Sequence, residues 1–367
     1  MPPPVPPSRR SVWRKVFPLL AILVLLLATA AVGESVLRLA GYSPANVNPL
    51  KAFHEFDPVL GWRGRKLYTA RFQRPDFDVV IAHDATGFRK QVNLEAKVNQ
   101  APQRVFVFGD SFVWGWGVAQ GEVFTDKMNL VLPHYSVHNY GINGVGTVVE
   151  YELFASEVRQ RVRPDDTVLL LFCHNDFVDN VDRKKFHAEV ANGDVKVVNP
   201  AKPLTTPAED WIKSHSYLCN LVWYRADLYR LTRVNRQQED ETLGRTIAET
   251  DEQFTVARHF LAKFQADCEA AKARFIVVHI PSQDELSECR TSRPNKLANE
   301  KARAETLFAI TRASHIETID LLPGFLARKN KTGETLTFKT DGHWNSTGHQ
   351  AVAELLSEYL STHPGSN

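Results

Sequence analysis

From residue 104 onward two kinds of apolar pattern alternate along the chain. Short, nearly continuous apolar runs predict buried strands at 104–108 ("RVFVF"), 135–140 ("YSVHNY"), 167–173 ("TVLLLFC"), 274–279 ("RFIVVH") and 316–320 ("IETID"). Helical spacing predicts helices near 121–132, 147–162, 251–273, 297–313 and 345–361. In the last of these, Val352, Leu355, Leu356, Tyr359 and Leu360 share a face, and Ser346 stands where a cap is expected. Strands separated by helices predict a parallel sheet covered on both faces.

Two segments depart from this rhythm. Residues 36–103 form a lead-in with short extended runs such as "FDVVIAH", ending in "DATGFRK", and predict a β-containing segment packed on the main domain. An insertion, 177–250, follows the third strand. Its Asn192-Gly193 lies between alternating segments and predicts a hairpin, and "DWIKSHSYLCNLVWYRADLYRL" predicts an aromatic amphipathic helix. Such an insertion is expected over the carboxyl end of the sheet, as a lid or docking surface. Its rings Trp211, Tyr217, Trp223, Tyr224 and Tyr229 suit either sugar stacking or anchorage to the core.

The N-terminus follows another logic. Residues 1–15 are proline-rich and basic, and 16–33 carry no charge, about eighteen residues and just enough to cross a hydrocarbon core. Arg9, Arg10, Arg14 and Lys15 precede the run and Glu34 follows it, so the positive-inside rule predicts a cytoplasmic N-terminus. Everything after a 16–35 anchor is then periplasmic or extracellular. The competing reading is a signal peptide cleaved after Ala28-Thr29-Ala30. The apolar pattern runs on through Val36, Leu37, Leu39 and Ala40, which favours an uncleaved anchor.

With 367 residues the chain can bury one large core or two modest ones. Its 44 basic residues nearly balance 42 acidic ones and form no stripe, which argues against a nucleic-acid partner. Cys173, Cys219, Cys268 and Cys289 lack metal-type spacing, and in an exported domain Cys268 with Cys289 is the least implausible disulfide. No Walker loop and no G-x-G-x-x-G at a strand–helix junction appears, so neither a nucleotide cofactor nor a metal is expected.

The chemistry gathers at strand ends. "GDS", 109–111, follows the first strand, where Ser111 reads either as turn and cap chemistry or as a nucleophile at the carboxyl end of a parallel strand. "NYGINGVGT" (139–147) follows the second strand, "CHNDF" (173–177) the third, and "DGHWNSTGH" (341–349) precedes the final helix. A serine nucleophile needs a base, an acid that orients the base, and donors for the oxyanion. Each block also has a plainer reading. Gly141 and Gly144 suit a turn, Asn175 an Asx turn, and Asp341 with His343 a helix-entry loop. His349 reads as structural, His174 as half-buried, Trp114 and Trp116 as packing rather than sugar stacking, and Cys173 as an inert buried thiol.

Four such blocks in this order resemble the SGNH, or GDSL-type, serine hydrolase superfamily over about residues 104–361. The resemblance implies a flavodoxin-like α/β/α sandwich with a parallel sheet (the SGNH hydrolase fold), here preceded by a transmembrane helix. It also implies an ester hydrolase with Ser111 as nucleophile, His343 as base and Asp341 as its orienting acid. The implied oxyanion donors are the backbone N–H groups of Ser111 and Gly144 and the side-chain amide of Asn175. Two features depart from the pattern: Cys173 replaces a glycine two residues before Asn175, and only Gly342 separates Asp341 from His343. An extended segment still turns residues i and i+2 to one face. The short Asp-x-His followed by Trp is similar to proteins of alginate and other exopolysaccharide O-acetylation, where that motif precedes the serine. The implied function is a membrane-anchored serine esterase that removes O-acetyl or other small acyl groups from a carbohydrate or cell-envelope glycan. The alternatives are an O-acetyltransferase that delivers the acyl group to a polysaccharide, and a non-catalytic glycan-binding scaffold.

Overall fold

The structure, a computed structural model, describes residues 9–98, 101–200, 202–203, 205–242, 251–287 and 294–364. The chain divides into two units: Asn46–Leu204 with Arg230–Asn367, and Met1–Ala45 with Thr205–Tyr229.

The larger unit is built on five parallel strands, β1 (Gln103–Phe108), β2 (Tyr135–Asn139), β3 (Thr167–Phe172), β4 (Arg274–His279) and β5 (Glu317–Asp320). Their order is β5-β4-β3-β1-β2. This flavodoxin-like order reverses direction between β1 and β3, where open α/β sheets hold their ligands. Period-2 alternation sends Phe106, Phe108, Val168, Leu170, Phe172 and Val277 to one face, against Phe254, Phe260 and Phe264 of helix Glu252–Ala270. Val105, Val107, Leu169, Leu171, Ile276 and Val278 face the other way, onto Phe124, Met128, Val352, Leu356 and Leu360. The two apolar faces explain why the strands read as runs rather than as alternation.

The helices differ from their predicted outlines in three places. After Thr147–Leu153 the α-helix widens into a π turn, Phe154–Val158, and tightens into a 3-10 turn, Arg159–Arg161. Ser156 Oγ donates back to the Glu152 carbonyl at 2.6 Å, competing with the regular ladder there. The last helix, Ser346–Thr362, is capped by Asn345 rather than Ser346: the Asn345 carboxamide oxygen accepts from Gly348 N–H at 2.9 Å. Helix Leu322–Thr332 was not foreseen. It contains Pro323 and Gly324 and buries only Phe325, so it carries little helical signal.

The lead-in supplies two hairpins, His54–Asp57 with Gly61–Gly64 and Thr69–Arg74 with Phe77–Ala82. Phe53, Phe72 and Ile81 close over Trp114 and Trp116 as a third core, placing the lead-in beside the turn that follows β1. The predicted hairpin of the insertion is present as His187–Ala191 paired with Asp194–Val198. Asn192 (φ 55°) and Gly193 (φ 86°) both take the left-handed turn conformation that such a two-residue loop demands. Cys268 is a buried free thiol, and Cys289 lies outside the described residues.

In the smaller unit, helix Arg9–Leu39 contains a stretch, Val16–Leu39, long and apolar enough to cross a membrane. Glu34, at the end of its uncharged portion, accepts the backbone N–H groups of Tyr217 (3.1 Å) and Leu218 (2.9 Å) and the Ser216 hydroxyl (3.0 Å). The carboxylate thus caps the start of helix Tyr217–Thr242. Tyr217 packs on Tyr42 and under the Arg38 guanidinium, and Lys213 lies over Trp223. Trp211 remains 63% exposed, stacked on His215.

Candidate active site

Strand β1 ends at Gly109, and the chain turns at once into the helical turn Ser111–Trp114. A side chain at 109 would stand 2.4 Å from Val113 Cγ2 and 3.2 Å from the Leu171 carbonyl, so only glycine fits this exit. Asp110 caps the turn, its carboxylate accepting Phe112 N–H at 2.9 Å. Ser111 is the first helical residue, so its N–H has no partner within the turn.

Ser111 Oγ lies 2.7 Å from His343 Nε2, across 232 residues of sequence. His343 Nδ1 is 3.2 Å from Asp341 Oδ1, and the same oxygen accepts His343 N–H at 3.1 Å. With Nδ1–H donating to the carboxylate, Nε2 presents its lone pair to the Ser111 hydroxyl. The single residue between Asp341 and His343 therefore still brings both side chains to one place. The loop is tied from behind: Phe338 N–H donates to the His343 carbonyl at 2.9 Å and Asn345 N–H to that of Leu336 at 3.1 Å.

The block after β2 lies against the same turn. Asn139 Nδ2 donates to the Val113 carbonyl at 2.7 Å, and Ile142 N–H to that of Gly109 at 3.1 Å. Gly144, with φ 76°, holds the left-handed conformation that favours glycine. Asn175 stands at the start of the short helix Asp176–Asp179, and its Nδ2 donates to Asp110 Oδ2 and Asp179 Oδ2, each at 3.1 Å. Asn175 is thus tied to the cap of the serine turn, with both amide hydrogens engaged. Cys173, at the position usually held by glycine, is not among the residues with left-handed backbone. Its N–H donates to Asp176 Oδ2 at 2.8 Å, so the loop after β3 follows its own path.

Electrostatics separates two groups of carboxylates. Burial works against the charge on Asp341, but the hydrogen bonds and charge of His343, with help from Arg74, outweigh it and leave the carboxyl below its ordinary range. Behind the site, Asp110, Glu150 and Asp176 are all buried, and burial pushes each of their carboxyls up; like charges nearby add to this. Burial, with the charges of Asp110 and Asp176, likewise pushes the Cys173 thiol well up, which works against a reactive thiolate there. His349 is a core residue: its Nδ1 accepts Phe124 N–H at 3.3 Å and the ring stacks on Phe124. His174 is half-buried, with Nε2 3.9 Å from Glu300 Oε1.

Two further groups reach the acid and the imidazole. Trp116 Nε1 donates to Asp341 Oδ2 at 2.9 Å, and its ring lies parallel to His343, 4.4 Å away at 11°. Arg74 Nη1 is 3.8 Å from the same Oδ2. Trp114 and Trp116 are both buried, as a packing role requires. The indole N–H contact was not foreseen, though "WGWG" carries a trace of it: Gly115 (φ 87°) and Gly117 (φ 70°) flank Trp116 and turn the chain sharply. Nothing in the sequence around Arg74 marks it.

Residues 240–367, which hold Asp341 and His343 but not Ser111, match the family model "SGNH hydrolase-like domain, acetyltransferase AlgX". No curated protein matches the chain. Similar solved structures include a lipolytic protein of the G-D-S-L family from Veillonella parvula DSM 2008, at 15% identity, covering 71% of this chain and 98% of that one, with TM-score 0.42. The acetyl xylan esterase AlAXEase is 14% identical, covering 70% and 99%, with TM-score 0.42. Axe2, an acetylxylan esterase from Geobacillus stearothermophilus, is 11% identical, covering 71% and 94%, with TM-score 0.41. Residues 240–367 are thus similar to that SGNH hydrolase-like domain, and the parallel five-stranded sheet of the larger unit has the SGNH-like fold.

Proposed function

We propose that the chain is a serine-dependent esterase whose acyl-enzyme forms on Ser111, acting on O-acetyl or other small acyl esters of a carbohydrate. The observation that carries this reading is the 2.7 Å contact between Ser111 Oγ and His343 Nε2, with Asp341 behind the imidazole. In the proposed reaction His343 Nε2 takes the hydroxyl proton as Ser111 Oγ attacks the ester carbonyl. Asp341 holds the ring in the required tautomer and balances the imidazolium. The oxyanion is received by the N–H groups of Ser111 and Gly144, and by Asn175 once its amide exchanges a carboxylate for substrate. Collapse expels the sugar alcohol, which takes the proton back from His343, and a second acceptor releases the acyl group from Ser111.

That acceptor separates two readings. Water completes hydrolysis, whereas a sugar hydroxyl completes O-acyl transfer. The second reading is favoured by one specific finding, the match to a family described as an acetyltransferase. Full-length chain in detergent, given a chromogenic acetate with and without an oligosaccharide acceptor, distinguishes them by whether free acetate or acetylated sugar accumulates. Ser111→Ala should abolish either product, by several orders of magnitude, without loss of fold. A loss smaller than tenfold would overturn the assignment. Apolar helix 16–35 is proposed as an anchor that leaves this domain on the export side.

A further inference from the structure

The segment bearing Asp341 and His343 belongs to no strand or helix of the sheet, so beyond its own turn bonds its geometry is set by what touches it from outside. Much of what touches it comes from the second lead-in hairpin, residues 69–82. At the hairpin turn the Asp76 carboxylate accepts both the N–H (2.6 Å) and the hydroxyl (2.8 Å) of Thr340, immediately before Asp341. Phe77 packs on Phe338 with ring centroids 5.0 Å apart. Arg74 reaches over Trp116, its guanidinium carbon 4.6 Å from the ring, and faces Asp341 Oδ2.

The carboxylate of Asp341 is consequently used on both oxygens. Oδ1 serves His343, while Oδ2 receives the Trp116 indole N–H and the charge of Arg74. A carboxylate free to rotate about Cβ–Cγ would lose the two contacts to His343; one pinned at Oδ2 keeps them. The imidazole is fixed as well, because Trp116 covers one ring contact at 4.4 Å and Phe112 lies 4.8 Å away. Trp116 is itself held edge-on by Phe72 of the hairpin, at 5.1 Å and 90°, and Arg74 Nε donates to the Val47 carbonyl at 3.3 Å. A ring placed merely to fill space would not need its N–H aimed at a carboxylate.

We propose that Trp116 and Arg74 are positioning residues: together they lock Asp341, and through it His343, onto Ser111, so that the lead-in hairpin is a working part of the active site. The inference rests on the acyl-enzyme reading above. Reactive groups must be held within a fraction of an ångström, and misplacement of about 1 Å costs roughly a hundredfold in rate.

The test compares Trp116→Phe, Arg74→Gln and Arg74→Lys in the full-length chain. Trp116→Phe keeps a ring in the core but lacks the N–H, and Arg74→Lys keeps the charge. Three measurements are made: kcat and KM on a chromogenic acetate, the rate at which a serine-directed phosphonate labels Ser111, and the low-field proton NMR resonance of His343 Nδ1–H, assigned by its loss in His343→Ala. Trp116→Phe and Arg74→Gln should lower kcat and the labelling rate about ten- to a hundredfold with KM within about twofold. Both should shift or broaden the Nδ1–H resonance at a melting temperature near wild type, and Arg74→Lys should recover most of the loss. Should Trp116→Phe fail to fold, Arg74→Gln against Arg74→Lys carries the test alone. Unchanged kcat, labelling and resonance in Arg74→Gln would overturn the proposal. A wild-type chain that neither turns over ester nor labels at Ser111 would instead refute the acyl-enzyme reading, while the resonance would still report whether Trp116 and Arg74 hold the pair.

Discussion

Acidification should loosen the lead-in from the turn that carries Ser111, and His83 sets the effect. Its ring is buried; Nε2 accepts the Trp114 indole N–H at 2.9 Å and Nδ1 lies 3.2 Å from the Arg65 carbonyl. These contacts require the neutral ring with its proton on Nδ1, because a proton on Nε2 would point at another donor. Burial lowers the His83 pKa to about 4, with the Arg65 carbonyl working against the shift and the charge of Arg89 working with it. His54, 6.0 Å away by ring centroids, is lowered to about 3 by burial and then by His83 itself. Both folded values lie below the unfolded value of about 6.5, so the unfolded chain takes up the protons first as pH falls. The stabilisation is complete above about pH 6.5 and drains away as pH falls toward 4 and then 3. At pH 5 the unfolded state has gained about 1.5 pH units of advantage per ring, or about 2 kcal/mol each and about 4 kcal/mol together.

The assay is urea unfolding of the full-length chain in detergent at pH 7.5 and pH 5.0, followed by tryptophan fluorescence. His83→Gln offers an amide oxygen to Trp114 but does not titrate, so its acid loss should be smaller than that of the wild type by about 2 kcal/mol. His138 and His349, lowered to about 4 and about 3 by burial, add an acid loss common to both proteins and cancel in the difference. Wild-type midpoints that coincide at the two pH values, or an equal acid loss in His83→Gln, would refute the reasoning.

Further expectations follow from the same contacts. His343→Ala should remove ester turnover, whereas His349→Ala should lower the melting temperature and leave kcat within a few-fold, read by paired kinetic and thermal assays. Asn175→Ala should reduce kcat about a hundredfold if its amide serves the oxyanion; a loss below about threefold would assign that amide to Asp110 and Asp179 alone. Glu150, whose carboxyl oxygens lack partners and whose pKa is raised by burial, costs stability as pH rises past the ordinary carboxylate range. Glu150→Gln should therefore be more stable than wild type at pH 8, with the advantage shrinking toward pH 4 in urea titrations. A reporter active only outside the cytoplasm, fused after Asn367, should be active, and an N-terminus at Ala31 in the purified protein would show a cleaved signal peptide instead of an anchor.

What the sequence discloses about this site depends on how each residue is held. Ser111 is legible because a parallel strand that ends in Gly-Asp-Ser must leave the sheet at its carboxyl edge, and both the run before it and the glycine at its exit are local requirements. His343 and Asp341 are legible because two residues apart is close enough for one loop to present both. The five strands and most helices show for the same reason, since burial on two faces or on one stripe writes a period into neighbouring residues. Arg74 obeys no local requirement. Its role exists only because Phe53, Phe72 and Ile81 dock the lead-in over Trp114 and Trp116, and a packing decision between distant segments leaves no periodic mark near residue 74. The same holds for the engagement of Asn175 by Asp110 and Asp179, in which three blocks converge after folding. The division is thus between chemistry set by the backbone of one segment and chemistry set by the docking of two. In this protein the proposed nucleophile and base belong to the first kind, and the proposed restraint upon them belongs to the second. The hairpin 69–82 would therefore be missed by any account of the site confined to the sheet, and its removal should cost rate before it costs the core of the sheet.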